Sequence, residues 1–138
     1  INSGEIVFNK TTDTLDVVCH SMGFAYAQGM IEVFKIAHFK LGRYYIIAPE
    51  NACSGSISTS DFEQAWQYGS NLGQPNPDPF CRQDGIAPQC PVIGLPTNNR
   101  VFIPNGVTKG YKESHSIGNY RWIFNIKITL PGYVTKRH

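Results

Sequence analysis

No apolar stretch in this chain approaches the roughly 20 residues that a membrane-spanning helix needs, so no transmembrane segment is expected. Charge of either sign is scarce. The formal net charge is only +2, and Lys35, Lys40, Arg43, Lys109, Lys112, Lys127, Lys136 and Arg137 form no dense run. That argues against nucleic acid or an anionic membrane as a partner. No internal repeat or low-complexity tract occurs. No C-x-x-C pair occurs either, which argues against a zinc site. A signal peptide is missing at Ile1, but the chain does not open on methionine, and the absence excludes nothing.

Four cysteines are present. Cys19 sits in an apolar run and reads as buried and free. Cys81 and Cys90 flank a short polar loop and are the candidate disulfide pair, worth about 2–3 kcal/mol in the loop-entropy model. A bridge there favours a secreted or periplasmic protein. The alternative is that all four cysteines are reduced.

At 138 residues the chain is one domain or part of one, with enough apolar residues for a core. Leu15–Cys19 reads as a buried strand. Residues 22–40 read as a helix, with Ala25, Met30, Val33, Phe34, Ala37 and Leu41 marking its apolar face. Gly42 suits a left-handed cap after it. Residues 43–48 contain Tyr44-Tyr45-Ile46-Ile47, a run typical of a strand buried on both faces, and Pro49 ends it. The aromatic content of 62–69 favours a strand. Residues 71–83 form a loop rich in Pro, Asn and Gly, 100–104 a short strand, and 120–128 a final helix stopped by Pro131-Gly132. Strands joined by long crossovers imply a mainly parallel sheet and an α/β architecture.

The stretch with chemical meaning is Cys19-His20-Ser21-Met22-Gly23. A serine between an apolar strand and a helix, with a small residue two positions away on each side, has the pattern of a nucleophile elbow. So sharp a turn strains the serine backbone and leaves little room for bulk at Cys19 or Gly23. It also presents the hydroxyl at a helix N-terminus, where N–H groups favour negative charge. A serine needs a base. His20 is adjacent, but the turn aims its side chain elsewhere, and it reads as packing. His38 lies at the far end of the helix, and His138 is terminal. His115, in Glu113-Ser114-His115-Ser116, is the best-placed base. An acid must orient it. Asp84, in Gln83-Asp84-Gly85-Ile86-Ala87-Pro88, is preferred because it completes the chain order serine, acid, histidine. Glu50, after the earlier strand, is the second choice. Asp61 and Asp78 read as cap and loop residues.

These segments resemble the C-terminal half of an α/β-hydrolase of the lipase/esterase type. Cys19–Gly23 matches the family elbow, with cysteine in place of its usual first glycine. Asp84 followed by Pro88 is similar to the family's acid loop, and Ser114-His115-Ser116 to its histidine turn. The resemblance implies Ser21 as nucleophile, Asp84 as acid, His115 as base and the Met22 N–H as one oxyanion donor. It implies cleavage of small-molecule or lipid carboxylic esters, with no cofactor and no metal. Residues 1–138 would form a single partial domain. The family's early strands and oxyanion loop have no counterpart in the fourteen residues before Leu15, so a second chain or a missing segment would supply them. The competing expectation is an inactive fragment, or a binding or partner subunit, that keeps the fold. A thiol enzyme using Cys53 or Cys81 lacks a matching histidine pattern.

Overall fold

The computed structural model describes residues 7–69, 90–104, 107 and 115–134. It contains β1 (Leu15–His20), α1 (Gly23–Ile36), β2 (Leu41–Ile47), β3 (Gln64–Gly69) and β4 (Arg100–Phe102), with 3-10 turns between them and a longer 3-10 segment at Ile117–Asn125. The strands form one sheet in the order β1-β2-β3-β4, and each neighbouring pair is parallel. The chain is therefore of the mixed α/β class. Among the described residues no helix is long and apolar enough to cross a membrane.

The alternation of side chains in β2 divides the core into two layers. Tyr44 and Ile46 face Phe24, Ala27 and Ile31 of α1, joined by Phe62 and Val92. Tyr45 and Ile47 face the other way, toward Tyr68, Tyr120 and Ile123. Both sets are buried, which is the double-sided burial expected of a central parallel strand. β1 departs from expectation. Only Cys19 is buried along it, and Val18 is 62% exposed. Among the described residues β1 pairs only with β2, so its outer edge is open. Asp16 interrupts its ladder: the register shifts between Leu15 and Val17, and the Asp16 carboxylate accepts from the Arg43 N–H at 2.8 Å instead.

The helix ends at Ile36, not at residue 40, and Gly42 lies inside β2 rather than capping α1. His38 is the left-handed residue, with φ 58°. The Phe39 N–H donates to the Phe34 carbonyl and the His38 N–H to that of Lys35, each at 2.9 Å. This is the Schellman bonding pattern. Its usual apolar contact is present too, with the Phe34 and Phe39 rings 5.8 Å apart. A side chain in the left-handed region costs about 1–2 kcal/mol relative to the right-handed one, and glycine escapes that cost. His38→Gly is therefore expected to raise the unfolding free energy by about 0.5–1 kcal/mol, read from a urea titration.

The final segment also differs from expectation. It is 3-10, not α-helical, and spans Ile117–Asn125 rather than 120–128. Its buried residues are Tyr120 and Ile123, with Ile126 packed beside them. That spacing of three matches the 3-10 repeat and not the α repeat. Aromatic and β-branched residues here give little helix propensity to oppose it. Pro131-Gly132 lies beyond this segment. There the Tyr68 hydroxyl donates to the Gly132 carbonyl at 2.7 Å, fastening the turn to β3.

The disulfide joins Cys53 to Cys90, with Cα atoms 5.8 Å apart, and not Cys81 to Cys90. Short sequence separation favoured the latter, but the chain path brings the turn at Ala52–Ser54 beside the segment that enters Val92. Gln67, a buried polar residue at 4% exposure, holds that segment from both sides. Its amide donates to the Cys90 carbonyl, and its oxygen accepts from the Val92 N–H, both at 3.0 Å. Bridges of this kind persist in oxidising compartments. Cys53 is thereby unavailable as a nucleophile.

Candidate active site

Ser21 follows the last residue of β1 and has φ 57°, the left-handed region that a non-glycine residue occupies at a cost of about 1–3 kcal/mol. Neighbouring backbone holds it there. Its N–H donates to the Ile47 carbonyl at 3.2 Å, and its own carbonyl accepts from Phe24 N–H at 3.1 Å and Glu50 N–H at 3.2 Å. The elbow is thus pinned to the end of β2 and to the first turn of α1.

The small residues that flank Ser21 serve unequal purposes. Cys19 is buried, and its Sγ donates to the Tyr44 hydroxyl at 3.6 Å. Burial pushes its thiol up to about 11, so it stays protonated and unreactive at neutral pH. Burial raises the Tyr44 phenol as well. At Gly23 a Cβ would meet nothing within 4 Å among the described residues. The expected crowding at Gly23 is therefore absent among the described residues.

Met22 is the N-cap of α1. The first internal bonds of the helix run from Phe24 N–H to the Ser21 carbonyl and from Ala25 N–H to the Met22 carbonyl, each at 3.1 Å. The N–H groups of Met22 and Gly23 precede those bonds, at the helix end where backbone donors lack intrahelical partners.

Sequence positions 21 and 115 meet across the top of the sheet. His115 Nε2 lies 2.8 Å from Ser21 Oγ, within the range of a strong hydrogen bond. For Nε2 to accept the serine proton, the ring carries its own proton on Nδ1, and Nδ1 is buried. Glu50 Oε2 lies 3.4 Å from the same Ser21 Oγ, so its carboxylate meets the serine side of the pair rather than the far side of the imidazole. Two left-handed residues, Ala48 (φ 41°) and Asn51 (φ 54°), flank Glu50. Together with Ser21 they concentrate backbone strain around one point, as functional sites often do. Asp84 and Asp78 lie outside the described residues, as does Cys81.

His20 is the participant that sequence reasoning passed over. Its Nε2 is 2.6 Å from the His115 carbonyl oxygen, and the two rings pack 5.1 Å apart. A carbonyl only accepts, so His20 Nε2 carries a proton and donates it. His38 and Asp61 stand away from the site: His38 ends α1, and Asp61 pairs with Lys35 at 2.8 Å. No group of three or more potential metal ligands occurs among the described residues.

Comparison with family models, with curated proteins and with solved structures gives no match.

A hydroxyl at a strained turn touches an imidazole nitrogen that can take its proton, beside helix N–H groups suited to a developing anion. An apolar cavity of about 320 Å³ lies on the Tyr45 and Ile47 face of the sheet, and neither Ser21 nor His115 is among its lining residues. Val18, Tyr45, Ile47, Tyr68 and Tyr120 line it, together with Ile117, two residues after His115.

Proposed function

We propose that this chain carries the nucleophile and base of a serine hydrolase acting on carboxylic esters, in the manner of the lipase/esterase branch of the α/β-hydrolases. The observation that carries the reading is the 2.8 Å contact between His115 Nε2 and Ser21 Oγ at a residue with φ 57°. Ser21 Oγ attacks the ester carbonyl while His115 Nε2 takes its proton. The tetrahedral oxyanion is held by backbone N–H groups, with Met22 as one donor. Each such donor contributes about 3–4 kcal/mol to lowering the barrier. His115 then returns the proton to the departing alcohol, leaving an acyl-serine. Water, deprotonated by the same nitrogen, releases the acid.

Asp84 is the proposed orienting acid. It follows the serine and precedes the histidine, and the Nδ1 proton it would hold is on the buried side of the imidazole. Ile117, two residues after His115, lines an apolar cavity that suits the acyl part of an ester better than a charged group, which supports small-molecule or lipid esters as the substrate class.

The test is labelling with a fluorophosphonate, which phosphonylates only an activated serine. One label per chain is expected, lost in Ser21→Ala. A folded protein that remains unlabelled would sink the reading and leave the chain as an inactive or binding module.

A further inference from the structure

We infer that His20 is a positioning residue for the base: its Nε2–H clamps the His115 carbonyl and so holds the His115 ring on Ser21. The inference rests on the proposed hydrolase reading for its catalytic consequence, but not for the clamp itself.

The clamp comes from two contacts that close a ring. His20 and Ser21 are adjacent in the chain. The His20 imidazole donates to the main-chain oxygen of His115 at 2.6 Å. The side chain of that same residue returns to Ser21 Oγ at 2.8 Å. The base is therefore held twice, through its backbone and through its ring, by two consecutive residues. Those residues are well anchored. His20 is in register with Ile47 of β2, and the Ser21 N–H is bound to the Ile47 carbonyl at 3.2 Å. The tilted ring contact at 5.1 Å adds packing to the hydrogen bond.

The arrangement addresses a physical difficulty. Residue 115 is separated from residue 21 by 94 positions, and nothing in the sheet ladder connects them. Strands place Ser21, but the base reaches it from outside the four-stranded sheet. A donor on the nucleophile's own strand removes that uncertainty. Displacement of a catalytic group by about 1 Å costs about 10²-fold in rate, and this is the scale on which loss of the clamp should register.

The residue type follows from the same geometry. The donor must extend from a strand end to a carbonyl and be held stiffly, which an imidazole does with two side-chain torsions. Glutamine can bring an amide N–H to a similar distance. Asparagine is shorter and keeps polarity without the reach, and alanine removes the donor altogether.

The experiment has two arms. In the first, the histidine rings of the wild-type protein are observed by nitrogen NMR. His20 is expected to carry a proton on Nε2. In His20→Ala and His20→Asn the His115 ring signals should broaden or shift, whereas in His20→Gln they should return toward the wild-type positions. A His20 ring protonated on Nδ1 alone, or His115 signals unmoved in both truncated variants, overturns the clamp. This arm does not depend on any ester being cleaved.

In the second arm, kcat and KM are measured on a 4-nitrophenyl acyl ester. His20→Ala and His20→Asn are expected to lose about 10²-fold in kcat with KM changed less than about threefold, and His20→Gln to recover most of the loss. Wild-type kcat in both truncated variants, or a loss in the glutamine variant as large as in alanine, overturns the positioning role. If one truncated variant fails to fold, the other is decisive. Should the wild type neither turn over nor label at Ser21, the hydrolase reading fails, and the clamp stands or falls on the NMR arm.

Discussion

His115→Ala is expected to lower kcat for an activated ester by about 10⁴- to 10⁶-fold, with little change in thermal stability. The imidazole is the only described ring nitrogen on Ser21 Oγ. Removing it leaves a hydroxyl with no base strong enough to take its proton at neutral pH. Ser21→Ala should reach the same floor, and the double variant should fall no further, because the two groups act as one device. The same assay assigns the acid. If Asp84 is the orienting acid, Asp84→Asn is expected to cost about 10⁴-fold, because the imidazole then settles in the wrong tautomer. Glu50→Gln should cost about tenfold or less, because its carboxylate is 3.4 Å from the serine oxygen and a contact that long is a weak hydrogen bond. If instead Glu50→Gln gives the large loss and Asp84→Asn the small one, the acid is Glu50. A full wild-type rate in His115→Ala would remove the base altogether.

Removing the Cys53–Cys90 bridge is expected to lower the unfolding free energy by about 4 kcal/mol, measured by urea titration of Cys53→Ser/Cys90→Ser against the oxidised protein. The magnitude follows from the sequence separation of 37 in the chain-entropy model, where a longer closed loop costs the unfolded chain more freedom. For a single domain that is a large share of the total stability. The effect should be regional as well. Cys53 lies three residues after Glu50, whose N–H binds the Ser21 carbonyl, while Cys90 is held to β3 by Gln67. Without the bridge, amide exchange at Glu50 and Ala52 should speed up before that in β2. A double variant as stable as the wild type would mean that the bridge closes a loop already constrained in the unfolded chain.

Much of the fold was legible because the relevant patterns are local. An unbroken Tyr-Tyr-Ile-Ile run implies a strand covered on both faces, and β2 is one. Strands separated by helical and loop segments too long for hairpins imply parallel pairing, and each of the three observed pairs is parallel. The spacing from Cys19 to Gly23 implies a sharp turn at Ser21, and the backbone there is left-handed. In each case the cause is short-range: a side-chain repeat, a crossover length, or a change from strand to helix within a few residues.

Where the expectations failed, a particular side-chain contact outweighed the preference of residue type or periodicity. Gly42 was the better capping residue by type, yet His38 closes α1. The contact between Phe34 and Phe39 and two main-chain bonds offset its strain. An apolar face alone could not distinguish a repeat of three from a repeat of 3.6 near the C-terminus, and the packing of Tyr120 and Ile123 against β2 and β3 selected the former.

The sequence by itself determined the parallel α/β core, the strained serine at the strand-to-helix turn and the order in which serine, acid and histidine candidates occur. The tertiary structure brings His115, the base expected from the sequence, onto Ser21, and it alone decided the rest: Glu50 on the serine side, the His20 donor on the base's own carbonyl, and Cys53 as the partner of Cys90. The reason is distance along the chain. Repeats and turn chemistry act over a few residues and are written in their order. Contacts across tens of residues exist only once the sheet has brought strand ends and loops together, and no local pattern records which of several suitable carboxylates or thiols will arrive.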